Sequence, residues 1–425
     1  NINTVKNAYS CVKCSGGEKG QGALDLYARV AHGVRCVKGQ NSREMYRKLC
    51  DDLHIEAPVR SRVQKAQLPE VVDKAYRKLL DIKFFQLSDL HRENLHRRGF
   101  SDETIERNGY RSISADFPWV NRYRKAKEQY QKLIPSIRKD NILKRRTPER
   151  LIAGLIAASI LAKCGCELRG VPGFFRIDGV WCFNLEPGML IPTRNAVGQI
   201  VALQVRRDKP SDWNDYCKRT GQNKEFLRYM TISAKGLPDG VTTDISQAHF
   251  PLGNDSLDDP ETAVCITEGP LKADAAVELK GNRKMFFIAL HGTSNTKTLP
   301  AIFAWLKGKG VETVFNVFDM DKVTNVNVAK AGKRVRAIAA GYGIKLAEKC
   351  WDAEYAQQKL SELNAICCEH GIFVPTTFNV FTDLANVSQE LAKRNIRHSR
   401  VKNADGLEEK HYWSDKTKGI DDYLL

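Results

Sequence analysis

The sequence predicts an α/β protein in which a mostly parallel sheet with flanking helices follows a smaller region of mixed α+β structure. Three apolar segments in the C-terminal part, "TAVCITEG", "MFFIALHG" and "TVFNVFDMD", each precede a helical pattern. Such alternation is typical of a parallel sheet covered by helices. The middle segment "FRIDGVWCFNLEPGMLIPTRNAVGQIVALQVRRD" alternates apolar and polar residues between Gly and Pro, which predicts several short strands.

The N-terminal part is predicted to be mainly helical. A Cys-x-x-Cys knuckle and a glycine-rich turn precede an amphipathic helix from about Leu24, and Ser42 is the expected N-cap of a second helix. Further along, Ser101 and Thr104 are helix-start signals around a break at Gly99.

Three other segments have simpler interpretations. The charged segment 56–83 is interpreted as a linker or an exposed helix. The apolar stretch "LIAGLIAASILA" at 151–162 is too short to cross a bilayer and predicts a buried core helix. Residues 353–397 have the pattern of a mostly helical insertion, to which we assign no chemistry.

Charge and cysteine content narrow the function. The formal net charge of +17 favours a polyanionic partner, and nucleic acid is the partner we expect. The basic run 138–150 is equally compatible with a solvated helix face and with a patch that contacts phosphate. The twelve scattered cysteines indicate reduced thiols, and the sequence has no signal peptide, so we expect a cytoplasmic protein without membrane segments.

Carboxylates stand at the ends of two predicted strands. Glu268 ends the first strand of the alternating region, and Asp319 and Asp321 follow the third. The carboxyl ends of parallel strands share one edge of a sheet, and residues i and i+2 of an extended chain point to the same side. Three converging carboxylates repel one another unless a cation lies between them, and Mg²⁺ or Mn²⁺ suits oxygen ligands. Capping of the following helices is the alternative.

These motifs carry a family resemblance. "ITEG" and "FDMD", each followed by a helix, resemble the Toprim domain, a Rossmann-like fold shared by bacterial-type primases, topoisomerases and some nucleases. Outside that domain, "RRGFSDETIERNGY", "MLIPTRNAVGQIVALQVRRD", "EFLRYMTISAKG" and "ALHGTSNT" are similar, in this order, to segments of the core of DnaG-type primases. The resemblance spans most of the chain.

The resemblance implies roles for individual residues. Glu268, Asp319 and Asp321 would be the catalytic acids and would bind the metal, and Glu268 would also assist proton transfer. "KGIDDYLL" resembles an acidic motif that makes Asp421 a further metal ligand, with Asp422 beside it. The basic positions near template and nucleotide would be Arg206, Arg207 and Arg228.

Two departures from the replicative members of this family stand out. Lys272 and Gly419 occupy positions where those primases usually have aspartate. Lys272 is therefore predicted to contact a nucleotide or nucleic-acid phosphate instead of a metal. The loss of two acids favours a phage or mobile-element primase. It implies either that fewer metal ions bind or that one of them is held by the incoming nucleotide.

Zinc is the second metal that the resemblance implies. Cys11 and Cys14 resemble the second half of the zinc ribbon of these primases, and thiolates at this spacing are typical Zn²⁺ ligands. The sequence begins at Asn1 without the first ligand pair, so we expect a trimmed ribbon. His32 and Cys36 are the alternative completion of the site.

The predicted organisation has four parts. A partial zinc-ribbon with helices at 1–55 is followed by a linker or helical segment at 56–90. A mixed α+β, DNA-binding subdomain at 91–255 precedes the Toprim domain at 256–425, which contains the helical insertion.

The predicted function is that of a DNA primase, a nucleotidyltransferase of DNA replication. It would use nucleoside triphosphates to synthesise short primers on a single-stranded DNA template, with a replicative helicase as a partner. A Toprim-type metal-dependent nuclease and a degenerate primase-like replication factor that only binds DNA are the alternatives.

Overall fold

The computed structural model describes residues 2–3, 8–10, 19–36, 41–53, 66–114, 120, 122–208, 227–243, 247–293, 295–396, 400–402, 408–410 and 412–425. The chain forms two compact units, Asn1–Gln64 and Lys65–Leu425. The finer domain bounds proposed from the sequence stay predictions.

The first unit contains a small antiparallel sheet and two helices. Strand β2 (Ala8–Ser10) pairs with both β1 (Ile2–Asn3) and β3 (Lys19–Gln21). Helices α1 (Ala23–His32) and α2 (Ser42–Asp52) follow. Asn41, not Ser42, occupies the N-cap of α2, because the helix begins one residue earlier than predicted.

The predicted zinc ligands Cys11 and Cys14 lie outside the described residues, so zinc binding by this pair stays a prediction. The alternative ligands are described. His32 Nε2 lies 3.0 Å from Tyr27 Oη, and the backbone N–H of Cys36 donates to Asp25 Oδ1 at 2.9 Å. The imidazole of His32 therefore already has a hydrogen-bond partner.

The second unit begins with a run of helices: α3 (Pro69–Leu80), α4 (Asp89–His96), α5 (Asp102–Asn108), α6 (Arg124–Lys139) and α7 (Pro148–Lys163). The predicted start of α5 is confirmed, because the Ser101 hydroxyl accepts a hydrogen bond from the backbone N–H of Thr104 at 3.2 Å. Gly99, at φ 84°, provides the turn between α4 and α5.

Helix α3 corrects one expectation. Segment 56–83 is predicted to be a linker or an exposed helix, yet α3 buries Val72, Ala75, Tyr76 and Leu79 in the main core of this unit. These positions follow the i, i+3, i+4, i+7 spacing of one helix face. The charged residues of the segment lie on the opposite face of the helix. Their number makes the apolar stripe hard to recognise in the sequence.

The apolar helix α7 is a buried core helix, as predicted. Only a few of its residues are exposed, and it packs against the hairpin of β5 (Phe174–Ile177) and β6 (Val180–Phe183). Gly154 allows this close approach, because a Cβ there would overlap the carbonyl oxygen of Phe183 and lie 2.7 Å from Cys182 Sγ.

Replacing Gly154 by alanine is expected to lower the free energy of unfolding by about 1–3 kcal/mol, although alanine favours helix, because the added methyl group overpacks the core. Gly308→Ala is the matched control, since a Cβ at Gly308 meets no atom of the described residues within 4 Å. Urea unfolding of both variants would test this; equal effects would contradict the packing described.

The antiparallel part of the unit has the strand order β4–β7–β8–β9. Its strands are β4 (Arg111–Ile113), β7 (Gly188–Arg194), β8 (Ile200–Arg206) and β9 (Tyr229–Thr231). The predicted short strands of the middle region are thus confirmed. Strands β7 and β8 are buried almost throughout.

A parallel sheet with the order β11–β10–β12–β13 forms the C-terminal part and confirms the predicted fold class. Its strands are β10 (Ala263–Glu268), β11 (Met285–Leu290), β12 (Thr313–Asn316) and β13 (Lys345–Glu348). The helices between them are α8 (Pro270–Leu279), α9 (Leu299–Gly308) and α10 (Val326–Gly341). Strand β13 was not predicted.

The end of the chain adds helices and a short hairpin. The insertion contains α11 (Ala353–Glu369) and α12 (Val380–Lys393), which pack against each other. Strands β14 (Arg400–Lys402) and β15 (Glu408–Lys410) pair, and α13 (Ile420–Leu424) ends the fold. Among the described helices, none has the length and apolar character that a bilayer-spanning segment requires.

A buried polar network joins the antiparallel sheet to the parallel sheet. His249 Nδ1 accepts a hydrogen bond from the backbone N–H of Arg194 at 3.0 Å, so its proton is on Nε2, which donates to Asp274 Oδ1 at 2.9 Å. The Tyr110 hydroxyl donates to Asp274 Oδ2 at 2.6 Å. The most exposed of Tyr110, Arg194, His249 and Asp274 is Arg194, at 3%. Burial beside Asp274 raises the pKa of Tyr110.

Candidate active site

Glu268 is the last residue of β10, an interior strand of the parallel sheet, and lies opposite Leu290 of β11. Gly269 follows at φ 88°, and Pro270 is the first residue of α8. Glycine adopts this backbone conformation without strain, so the chain can turn from strand to helix immediately after the glutamate. The carboxylate therefore lies at the carboxyl edge of the sheet.

Asp319 and Asp321 lie at the same edge, beyond β12. The backbone N–H of Val317 donates to the carbonyl oxygen of Ile266 at 2.9 Å, which extends the contact with β10. Asp319 then precedes a 3₁₀ turn, Met320–Lys322. The expectation of an extended Asp-x-Asp segment is wrong, because the chain turns to bury Met320.

Lys322 holds this turn in place. Its buried ammonium group donates to the carbonyl oxygen of Asn316 at 3.0 Å and to that of Lys349 at 2.6 Å. These carbonyls lie at the ends of β12 and β13, so the lysine side chain ties the turn to the sheet edge.

The structure brings the three predicted catalytic acids together. One oxygen from each of Glu268, Asp319 and Asp321 lies within 4.8 Å of the other two. Opposite oxygen ligands of Mg²⁺ lie about 4 Å apart, since each is about 2.0–2.1 Å from the ion. A small movement of the side chains would therefore allow all three oxygens to reach one ion.

The hydrogen bonding of the carboxylates of Glu268 and Asp321 is compatible with a bound metal ion. Glu268 Oε2 and Asp321 Oδ1 are buried and have no hydrogen-bond partner among the described residues. Asp321 is 7% exposed. Buried carboxylate oxygens without a donor are unfavourable unless a cation approaches them, and a set made only of carboxylate oxygens is typical of Mg²⁺ or Mn²⁺ sites.

Lys272 projects from the first turns of α8 into this acid cluster, defined as Glu268, Asp319 and Asp321. Its ammonium group forms an ion pair with Asp319 Oδ1 and lies 3.7 Å from Glu268 Oε1. Contact of Lys272 with a phosphate stays a prediction.

Asp421 is 3% exposed and lies in α13. Arg98 Nη1 donates to its Oδ2 at 2.6 Å, while its Oδ1 is buried without a hydrogen-bond partner among the described residues. Lys418 Nζ lies 3.5 Å from Asp321 Oδ2.

Gly419 differs from the expected aspartate for a packing reason. A Cβ at this position would overlap Asp421 Oδ1 and lie 3.1 Å from Asp422 Oδ2. The backbone N–H of Gly419 donates to that Asp422 oxygen at 2.8 Å. Asp422 therefore caps α13 in this chain.

Burial and mutual repulsion disfavour the charged forms of these acids. Desolvation and the neighbouring Asp319 raise the pKa of Glu268 from 4.5 to about 8. Desolvation also raises the pKa of Asp321 and that of Asp421. A metal-free site therefore holds protons that a bound cation would displace.

This shift predicts a pH-dependent stability difference between the metal-free wild-type protein and Glu268→Gln. Between about pH 4.5 and pH 8, folded Glu268 keeps a proton that unfolded Glu268 releases, so wild-type stability falls as the pH rises through this window. The glutamine is neutral throughout. In EDTA, the wild-type melting temperature should fall relative to that of the variant; a constant difference would contradict the raised pKa.

The predicted basic residues lie on the antiparallel sheet. Arg206 ends β8 and pairs with Tyr229 of β9, and Arg228 is exposed. The backbone N–H of Arg207 donates to the carbonyl oxygen of Arg228 at 2.7 Å, so the two arginines share one strand end. Arg207 Nε also lies 3.0 Å from Glu186 Oε1.

Residues of the basic run 138–150 lie close to this group. Arg150 forms an ion pair with Glu186, the carboxylate that Arg207 also contacts. Burial and the nearby Arg150 lower the pKa of Arg146 to about 10. The run thus contains partly buried arginines and differs from a fully solvated helix face.

Sequence reasoning missed three residues at or near the site: Arg98, Lys418 and His291. Arg98 and His291 stand inside the motifs "RRGFSDETIERNGY" and "ALHGTSNT", and Lys418 begins "KGIDDYLL", but no local pattern indicates their partners.

His291 links the parallel-sheet edge to the antiparallel sheet. Its Nδ1 accepts from Gln204 Nε2 at 3.2 Å, and its Nε2 lies 3.1 Å from Thr193 Oγ1, to which it donates. Burial, with a smaller contribution from His249, lowers the pKa of His291 to about 4. The ring is therefore neutral at pH 7.

No protein-family profile and no curated protein sequence matches the chain. Among solved structures, it is similar to the zinc-binding and RNA polymerase domains of the Aquifex aeolicus primase. The identity is 12% over 93% of this chain and 74% of that chain, with a TM-score of 0.39.

Two further solved structures show a comparable similarity. The RNA polymerase domain of Mycobacterium tuberculosis primase DnaG is 15% identical, over 77% of this chain and 87% of that chain, with a TM-score of 0.37. A DNA primase domain from Pseudomonas aeruginosa is 13% identical, over 70% and 83%, with a TM-score of 0.37. These proteins belong to the group that the motifs resemble, while the fold assignment rests on the sheet order and register described above.

Proposed function

We propose that the chain is a DNA primase, a nucleotidyltransferase that synthesises short primers on single-stranded DNA from nucleoside triphosphates. The observation that carries the proposal is the convergence of Glu268, Asp319 and Asp321 at one sheet edge, with buried oxygens that have no hydrogen-bond partner in the described part of the chain. The ordered primase-like motifs and the net charge of +17 support the same function.

In this proposal, Glu268, Asp319 and Asp321 would hold a Mg²⁺ or Mn²⁺ ion, and Asp421 would add a further carboxylate from α13. The bound ion supplies positive charge at the nucleotide phosphates. With the ion bound, Glu268 would be ionised, and it would assist in accepting the proton of the attacking hydroxyl, as the family resemblance implies.

The basic residues would bind the polyanionic substrates. Arg206, Arg207 and Arg228 would contact the DNA template or the triphosphate, and Arg207 is oriented by its contact with Glu186. Cys11 and Cys14 would bind Zn²⁺ in the complete ribbon, and a replicative helicase would be a partner. A phage or mobile-element origin accords with the departures at Lys272 and Gly419.

The decisive experiment incubates the protein with single-stranded DNA, Mg²⁺ or Mn²⁺ and labelled nucleoside triphosphates. We expect new oligomers with the wild-type protein and none with Asp319→Ala. Asp258→Ala is the matched control, because the Asp258 side chain is 79% exposed.

Other outcomes would identify the alternatives. Shortened template without use of triphosphates would indicate a metal-dependent nuclease instead. Salt-sensitive DNA binding that is the same in wild-type protein and Asp319→Ala, with no product in either, would indicate a replication factor that only binds DNA.

A further inference from the structure

The position of Lys272 in the acid cluster affects how many metal ions the cluster can hold. Two-metal phosphoryl-transfer sites hold their ions about 3.5–4 Å apart, and carboxylates bridge or flank both ions. Here the ammonium group of Lys272 lies between two of the three carboxylates, in an ion pair with Asp319 and 3.7 Å from Glu268 Oε1. A second ion near these oxygens would have to displace it.

The other cationic side chains around the site also disfavour a second metal ion. Each carboxylate around the site already has a cationic neighbour: Lys272 beside Asp319 and Glu268, Lys418 beside Asp321, and Arg98 beside Asp421. Each divalent ion adds two positive charges to a site that is close to neutral. One ion is compatible with this balance, whereas a second would face strong repulsion in a partly buried environment.

The oxygens that lack partners also fit a single ion. Glu268 Oε1 lies toward Lys272, and Asp321 Oδ2 lies toward Lys418. The other oxygen of each carboxylate, Glu268 Oε2 and Asp321 Oδ1, has no hydrogen-bond partner within the described ranges of the chain. In both Glu268 and Asp321, a lysine therefore lies near one carboxylate oxygen, and the other oxygen remains available to an ion.

We propose that Lys272 is a built-in cation that takes the place of a second metal ion, so that the acid cluster binds one divalent ion in the absence of nucleotide. This inference rests on the metal site of the proposed function. Lys272 acts here as a positioning residue, which neutralises Asp319 and leaves Glu268 Oε2 and Asp321 Oδ1 for the ion.

The test counts Mn²⁺ ions bound by the full chain, by electron paramagnetic resonance without nucleotide or DNA. Ions at the cluster are those that the wild-type protein binds and the double variant Glu268→Gln/Asp321→Asn does not, because this variant removes the charge of both carboxylates that are left for the ion. We expect one such ion in the wild type and in Lys272→Arg, without spin coupling. Lys272→Asp should bind two ions with a coupled spectrum, while Lys307→Asp, which makes the same charge change at an exposed position, should keep one.

Lys272→Gln provides a second readout. Removal of the positive charge beside Glu268 and Asp319 should tighten Mn²⁺ binding about tenfold, even with the screening of water. Two coupled ions in the wild type, a single ion in Lys272→Asp, or unchanged affinity in Lys272→Gln would overturn the inference.

Failure of the proposed function gives a different result. If Glu268→Gln/Asp321→Asn binds as many ions as the wild type, the acid cluster is not a metal site and both proposals fall. If the cluster binds one ion but no primer is made, the inference about Lys272 stands while the primase activity does not.

Discussion

Asp321→Asn is expected to lower the rate of primer synthesis by about 10²–10³-fold, several kcal/mol of transition-state stabilisation. Asp321 Oδ1 is buried without a partner among the described residues, and the carboxylate belongs to the acid cluster. Asparagine keeps the shape of the side chain but removes the negative charge that would hold the ion. The loss should therefore appear with little change in the melting temperature of the metal-free protein.

Metal dependence separates this explanation from a general structural effect. We expect excess Mn²⁺ to restore part of the activity of Asp321→Asn, because the variant binds metal weakly but keeps its remaining ligands. Asp258→Asn, an exposed position in the same unit, should behave like the wild type. Full activity of Asp321→Asn at low metal concentration would exclude Asp321 as a ligand.

The largest expected effect on stability follows from Asp274→Ala. Removal of this carboxylate leaves His249 Nε2 and the Tyr110 hydroxyl as buried donors without an acceptor. A buried donor left without an acceptor costs about 1–3 kcal/mol, so the loss of both partners should cost about 3–5 kcal/mol. Urea unfolding with tryptophan fluorescence should show the loss as a lower midpoint without a change in slope.

A double-mutant cycle with Tyr110→Phe tests the assigned contact. Tyr110→Phe alone removes one donor and should cost about 1–2 kcal/mol. The two substitutions together should cost less than the sum of their separate effects, because the second loses a partner that is already gone. Strict additivity would mean that the hydrogen bond between Tyr110 and Asp274 contributes nothing.

Local patterns were sufficient to predict the parallel sheet and the meeting of the acids. β10, β11 and β12 are apolar segments bounded by turns, and each precedes a helix, so their alternation is visible in the sequence. Strand ends of a parallel sheet share an edge, which places Glu268 near Asp319 without knowledge of any side-chain contact.

Other features depend on contacts that no local pattern specifies. β13 begins and ends with charged residues, Lys345 and Glu348, and is a strand because it pairs with β12. The ion pair of Arg98 with Asp421 joins residues 323 positions apart. The tight turn at Met320 results from burial of that side chain in the core, whereas the Asp-x-Asp spacing alone suggested an extended segment.

The network around His249 also restricts movement between the antiparallel sheet and the parallel sheet. The His249 imidazole is hydrogen-bonded to the backbone N–H of Arg194 at the end of β7 and to the carboxylate of Asp274 on α8. A hinge motion at this joint would have to break both of these buried hydrogen bonds. We therefore expect Arg206, at the end of β8, and the acids of the parallel sheet to keep a constant separation across this joint. In the proposed primase, nucleotides would then be discriminated by how well they fit a preformed site. A closing movement at this joint would contribute nothing.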